Sequence, residues 1–214
     1  MKVISHYCHQ GFSNCYMLGS DYEKETEKDI PREALLIDPA EMDKTILNFI
    51  EKNHYLLKGI LITHNHLNHV RGLRALMHIY KAEIFAAQQS IFEYKTNVIR
   101  DGDIFNAGAF KIEVISVPGH SADSLVYKIK RYLFTGDVLS AGMMGTTSSP
   151  YGAMRQIATI QNKIFTLPGN YLIFPGHGPP TSLKVERNKN IEIGRYLENR
   201  RKTEHRWSSL ELLD

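Results

Sequence analysis

The sequence predicts an α/β fold. Short apolar runs stop abruptly at Pro, Gly or polar residues, and stretches of helical spacing follow the early runs. In addition, histidines and aspartates sit at the C-terminal ends of those runs, where layered α/β proteins build their sites.

Taken in order, Asn14–Leu18 is a strand candidate, and the charged stretch Asp21–Glu33 reads as an exposed loop or hairpin tip. Ala34–Ile37 is continuously apolar and ends at Asp38-Pro39, because proline has no N–H to give a central ladder. Glu41–Asn53 places Ile46, Leu47, Phe49 and Ile50 at helical spacing. Gly59–Ile62 is a second buried strand ending at Thr63-His64, followed by a helix from Asn68 through Leu73, Leu76 and Met77. Glu83–Ala87 reads as a strand and Ser90–Tyr94 as a short helix.

The second half carries the stronger β signal. Phe110–Val117 begins with the alternation of a half-buried strand and ends at Pro118-Gly119-His120. Leu125–Ile129 and Tyr132–Thr135 form a hairpin around Lys130-Arg131, closed by Gly136-Asp137. Ser140–Tyr151 is rich in Gly, Ser and Thr and reads as a long loop, and Gln156–Phe165 as a helix. Tyr171–Phe174 is a last strand that stops at Pro175-Gly176-His177. Ser182–Lys202 is a charged helix whose end, Arg200-Arg201-Lys202, suits the negative pole of the helix dipole. With no linker or low-complexity segment visible, residues 1–214 read as a single domain.

Composition narrows the function classes. With 43% hydrophobic and 23% charged residues the chain is not a disordered one. A net charge of +3 is too small to argue for a nucleic-acid partner. Met1–Gln10 contains one lysine and no apolar stretch, so no secretory leader is expected, and no apolar run suits a membrane span. Two cysteines, Cys8 and Cys15, are too few for a disulfide framework, and a reducing, cytoplasmic setting is expected.

Histidine departs from the ordinary pattern: of the 10 in the chain, three fall within Thr63–His69. His64 and His66, two residues apart on an extended segment, share one side and can reach one ion. His69 follows at a helix start, facing the same crevice. His120, Asp137 and His177 close later runs in the same manner as Asp38 and His64. Imidazole and carboxylate donors suit zinc, iron or manganese in a hydrolytic site, with Asp137 the natural bridge between two ions. By contrast, His54 and His78 read as surface or helix residues. His6 and His9 beside Cys8 read as part of a solvated N-terminal strand rather than a metal cluster.

These motifs, Asp38, THNHLNH at Thr63–His69, PGH at Pro118–His120, FTGD at Phe134–Asp137 and PGHGP at Pro175–Pro179, resemble those of the metallo-β-lactamase superfamily. Within it they are similar to the glyoxalase II-like thioester hydrolases, in order and over residues 14 to about 190. The resemblance implies a four-layer αββα sandwich. It implies that His64, His66 and His120 hold a first zinc-type ion, that Asp137 bridges, and that His69 and His177 hold a second. Iron and manganese are alternatives. It also implies that Asp38 orients a ligand, and that a metal-activated hydroxide attacks a small-molecule thioester or related carbonyl.

Several departures qualify this. The family's aspartate within the first motif is Asn68 here, a neutral and weaker donor that cannot take a proton, so the second ion should bind more weakly and Asn68 itself becomes a catalytic candidate. Asp123 adds a carboxylate after His120 and is expected to face solvent. Ala141–Gly145 replaces a segment that usually contains Gly-Arg. Only 37 residues follow His177, too few for the helical domain with which glyoxalase II recognises glutathione, so a short thioesterase is expected. A mononuclear iron enzyme using oxygen on sulfur compounds, or a catalytically weakened metal-binding family member, are the alternatives that Asn68 leaves. The β-lactam-hydrolysing branch is disfavoured, because such enzymes are usually secreted.

Overall fold

A computed structural model describes residues 1–21 and 31–210. Most of the stretch read as an exposed loop or hairpin tip, Asp21–Glu33, lies outside the described residues.

The N-terminal half starts with β1 (Lys2–Cys8), β2 (Ser13–Gly19) and β3 (Glu33–Ile37). Pro39 ends β3, and helix α1 (Lys44–Glu51) starts at Asp43, whose carboxylate accepts the N–H groups of Thr45 and Ile46. After β4 (Leu56–Leu61), the single helix expected from Asn68 is two short ones, α2 (Leu67–Val70) and α3 (Leu73–Ile79). They part at Gly72, whose N–H leaves the helical ladder for the carbonyl of Pro39 at 2.9 Å. β5 (Glu83–Ala86) follows. Ser90–Tyr94 is not a helix: β6 (Ser90–Ile91) and β7 (Tyr94–Lys95) form a tight hairpin, with Phe92 left-handed at φ 52°. Arg74 holds that turn, its guanidinium 4.4 Å from the Phe92 ring centre and bonded to Glu93. β8 (Asn97–Val98) completes this half.

The C-terminal half begins with β9 (Ile104–Ala107), β10 (Phe110–Ser116), β11 (Leu125–Ile129) and β12 (Tyr132–Gly136). The stretch Ser140–Tyr151 is less loop than expected: β13 (Leu139–Ser140) and β14 (Met143–Met144) pair across Ala141-Gly142, and Ser149 caps the helix α4 (Pro150–Thr159). A π-helical segment, Ile160–Ile164, extends α4 to the predicted end. β15 (Leu172–Pro175) and β16 (Thr181–Ser182) lead into α5 (Leu183–Lys189). The charged helix then breaks at Asn190, whose side-chain oxygen accepts the N–H of Ile193, and resumes as α6 (Ile191–Leu210). The basic cluster at residues 200–202 therefore lies within α6 rather than at its end.

Two six-stranded sheets result, ordered β1-β2-β3-β4-β5-β8 and β16-β15-β12-β11-β10-β9. Alternation along each strand sorts the core into layers. Cys15 and Met17 of β2 with Leu36 of β3 meet Ile46, Phe49 and Ile50 of α1 and Leu73 and Leu76 of α3. Tyr16, Leu18, Leu35, Ile37 and Leu61 face Phe110, Ile112, Tyr127 and Phe134 of the other sheet. On the far side, Val126, Leu133 and Ile173 pack on Ile157, Ile160, Leu183 and Ile193. The result is a four-layer αββα sandwich. β3 runs parallel to β4 and β12 parallel to β15, while β10 and β12 both run antiparallel to β11. Within each sheet, the ligand-type side chains therefore leave strand ends on one edge. No helix among the described residues is long and apolar enough to cross a membrane.

Candidate metal centre

The site residues singled out in the sequence lie at that edge, Asn68 and His69 in α2 and the others on loops, and the edge is stitched across the two sheets. Leu125 N–H donates to Thr63 O at 2.8 Å, and Asn14 N–H to Gly176 O at 2.7 Å. The turn after β3 places Asp38 in a left-handed conformation, φ 50°, which a non-glycine residue holds only when its surroundings fix it. Here they do: the Asp38 carboxylate accepts the Thr63 N–H at 2.8 Å and the Thr63 hydroxyl at 2.6 Å, and faces His69 Nδ1 at 3.0 Å.

Around Asp137 the imidazoles converge on two sides. On one, His66 Nδ1 lies 2.9 Å from His64 Nε2 and 3.1 Å from His120 Nε2. His120 Nε2 and His64 Nε2 are 3.5 and 3.9 Å from Asp137 Oδ2. On the other, His69 Nε2 is 3.3 Å from Asp137 Oδ1 and His177 Nε2 is 3.4 Å from Oδ2. Asn68 stands beside this second side, its amide N–H donating to His177 Nε2 at 3.0 Å.

The outer ring nitrogens settle which atoms face inward. His120 Nδ1 donates to the Thr146 carbonyl and His177 Nδ1 to the Phe12 carbonyl, both at 2.7 Å. A carbonyl only accepts, so each neutral ring turns a bare Nε2 toward Asp137. His64 Nδ1 is held by the Thr63 hydroxyl at 3.1 Å. Lone pairs facing one another at these distances repel unless a proton or a cation lies between them. His69 Nε2 and Asp137 Oδ1 are both buried with no completed hydrogen bond. Donors of a tetrahedral ion with bonds of about 2.0–2.1 Å stand roughly 3.3 Å apart, close to the spacings here. The donor set therefore fits a zinc-type ion.

Electrostatics treat the two sides of Asp137 differently. Burial and the neighbouring His69 push His64 down to about 3, keeping it neutral and able to ligate. His66 is lowered by burial and by His120. Burial would also lower His69, but the carboxylates of Asp38 and Asp137 raise it to about 10. Asp137 is held well below the carboxylate range: burial opposes this, and the contacts with His177 and His69 outweigh it. His177 is raised, chiefly by Asp137. This carboxylate stays ionised and draws positive charge.

Asp123 does not face solvent as expected. Its Oδ2 accepts the Asn65 N–H at 2.9 Å and the Gln88 amide at 3.0 Å, and Ser121 binds its other oxygen. It anchors the backbone between His64 and His66 from behind without joining the donor cluster. Sequence reasoning missed the carbonyls of Phe12 and Thr146, which have no side-chain signal, and the Thr63 hydroxyl. It also passed over two glycines that let the chain close on Asp137. A Cβ at Gly176 would lie 2.3 Å from Asp137 Oδ1 and 2.6 Å from His69 Cε1. At Gly145 a Cβ would lie 1.8 Å from the Asp137 carbonyl oxygen.

Residues 10–177 match the metallo-beta-lactamase superfamily. The chain is 32% identical over 182 residues to a probable polyketide biosynthesis zinc-dependent hydrolase, BaeB, of Bacillus velezensis, covering 79% of this chain and 75% of that protein. It is 33% identical over 148 residues to a hydroxyacylglutathione hydrolase of Haemophilus ducreyi, covering 68% of this chain but only 61% of that protein. Among solved structures it is similar to ETHE1 from Myxococcus xanthus, with a TM-score of 0.76 and 25% identity over 89% of this chain and 83% of that one.

Proposed function

From the premise that this chain belongs to the metallo-beta-lactamase superfamily, we propose that it is a metal-dependent hydrolase of small acyl-thioesters, acting as a single domain at the Asp137 centre. The observation that carries the reading is the convergence of five imidazoles on one ionised, largely buried carboxylate. His64, His66, His120 and Asp137 would hold one zinc-type ion, and Asp137, His69 and His177 a second, with iron or manganese as alternatives. Such an ion supplies Lewis acidity and lowers the pKa of a water to about 7.

The chain's own residues do the rest. Thr63, Asp38 and the carbonyls of Thr146 and Phe12 lock four of the five imidazoles through their outer nitrogens, so the cluster stands organised before substrate arrives. Asp137 is too acidic to take a proton and acts by its charge. Asn68 offers a neutral amide N–H beside His177, placed to hold a carbonyl oxygen as negative charge develops. With ions held at the inner nitrogens, those four imidazoles would be engaged on both sides and poorly available as acids for a leaving group. That favours a group that departs unaided, and a thiol, with a pKa of about 8.5, is such a group. The hydroxyacylglutathione hydrolase relative supports a thioester. The free, buried Cys8 and Cys15 support a reducing, cytoplasmic setting.

Purified protein assayed on acyl-thioesters, lactones and phosphodiesters should cleave the thioesters, lose that activity with a chelator and regain it with zinc. Metal-loaded protein inactive on every class overturns the reading. A second reading, a single-iron enzyme using oxygen on sulfur compounds, rests on the Asn68 N–H that covers His177 Nε2 and leaves one donor set complete. Iron in the purified protein with oxygen uptake on a persulfide would favour it over hydrolysis.

A further inference from the structure

A second cluster of metal-type donors lies away from Asp137, on the helix-facing side of the first sheet. In the β1–β2 ladder His6 pairs with Cys15 and Cys8 with Ser13, so His6, Cys8 and Cys15 point to one face. The turn after β3 brings Glu41 and Asp43 over that face. We propose that His6, Cys8 and Glu41 form a separate site for a zinc-type divalent cation, with Asp43 beside His6.

The donor atoms of His6, Cys8 and Glu41 all lie within 4.8 Å of one another. His6 Nε2 is 3.0 Å from Asp43 Oδ2 and 3.7 Å from Glu41 Oε1, yet it is buried and makes no completed hydrogen bond. Each carboxylate is already anchored by one oxygen and presents the other. Asp43 Oδ1 caps α1, leaving Oδ2 toward His6. Glu41 Oε2 accepts the Gln10 N–H at 3.0 Å, leaving Oε1. Cys8 is fully buried, which corrects the expectation of a solvated strand at its C-terminal end.

A disulfide is the competing use of the two cysteines, and the register disfavours it. Cys8 and Cys15 are diagonal across the ladder, a relation that sets Cα atoms about 7–8 Å apart. That is beyond the usual disulfide reach of roughly 4.4–6.8 Å. One imidazole, one cysteine sulfur and one carboxylate supply three protein donors of the types that a zinc-type ion takes. Such an ion would tie β1 to the 38–43 turn. The segments it joins also carry the Phe12 carbonyl that holds His177 and the Asp38 carboxylate that faces His69.

Cobalt reconstitution tests this independently of the Asp137 centre, which contains no sulfur donor. Cobalt-saturated wild-type protein should show a near-ultraviolet thiolate-to-cobalt charge-transfer band. Cys8→Ser should abolish it, and His6→Gln should abolish it and lose one equivalent of bound metal, with circular dichroism confirming that each variant is folded. Should Cys8→Ser fail to fold, His6→Gln at its more accessible position carries the test. A cobalt-saturated wild type without the band, a band that survives Cys8→Ser, or unchanged metal content in His6→Gln overturns the proposal.

Discussion

The two sides of Asp137 are built from the same residue types but not to the same standard. On one side three imidazoles, from His64, His66 and His120, approach to 2.9–3.1 Å, and the bare Nε2 atoms of His64 and His120 both face His66 Nδ1. On the other, His69 is wholly buried while the His177 side chain is 40% exposed, and the Asn68 amide donates into the nitrogen that His177 would offer. A donor set that repels itself when empty gains much from a cation. A set whose lone pair is already capped by an N–H must first give up that bond. The difference teaches that one neutral-for-charged exchange, at position 68, acts twice: it removes a negative donor and it occupies a neighbouring one.

The largest effect should separate the two sides directly. His66→Ala removes the nitrogen that touches both partner imidazoles, and should lower tight metal binding and kcat/KM by at least about 100-fold, beyond the loss typical of an outer hydrogen-bond partner. His177→Ala, on the weaker side, should cost about tenfold at most. Equilibrium dialysis with elemental analysis, alongside thioester kinetics, measures both. Equal losses from the two variants would erase the asymmetry.

Gly176→Ala should come next. Its Cβ would press on Asp137 Oδ1 and His69 Cε1, both belonging to the weaker side, and a displacement near 1 Å costs up to about 100-fold in rate. Thermal unfolding should also report about 1–3 kcal/mol of lost stability from overpacking. Loss of stability with full activity would mean that the weaker side does not contribute to catalysis.

Asp38→Asn is expected to cost about tenfold in metal affinity, the lower end for an outer partner, because the amide keeps one acceptor oxygen for Thr63. His69 loses the carboxylate that faces its Nδ1, so the loss should fall on the second ion. Titration of apo-protein with zinc, resolved into two binding steps, locates it. An effect confined to the first step would place the role of Asp38 with Thr63 and His64 instead.

Much of this is legible in the sequence. Residues such as His64, Asp137 and His177 announce themselves because each follows an apolar run that stops at a Pro, Gly or Thr, and strand ends on one edge must converge. The hairpins β6–β7 and β13–β14 were not legible, since two-residue strands are too short to show a period of 2. Asp123 was misjudged because its partners, Gln88 and the Asn65 N–H, arrive from distant segments. The His6–Cys8–Glu41 grouping was hidden for the same reason: topology, not sequence proximity, lays the 38–43 turn over β1.

The smallest change tests the comparison most sharply. Asn68→Asp restores a negative donor on the weaker side and removes the N–H now pointing at His177 Nε2. A full charge about 4 Å from a cation is worth roughly 4 kcal/mol at an effective dielectric of about 20, much of it offset by desolvation. The net gain should be up to about tenfold in affinity for the second ion, with the first unchanged, and calorimetry resolves the two steps. Rate need not follow affinity. If the Asn68 amide holds the developing oxyanion, the variant binds its second ion more tightly but hydrolyses thioester more slowly, because a carboxylate repels that charge. A variant that gains both would show Asn68 to be a defect in the site, and one that gains neither would show that His177 exposure, not Asn68, sets the weaker side.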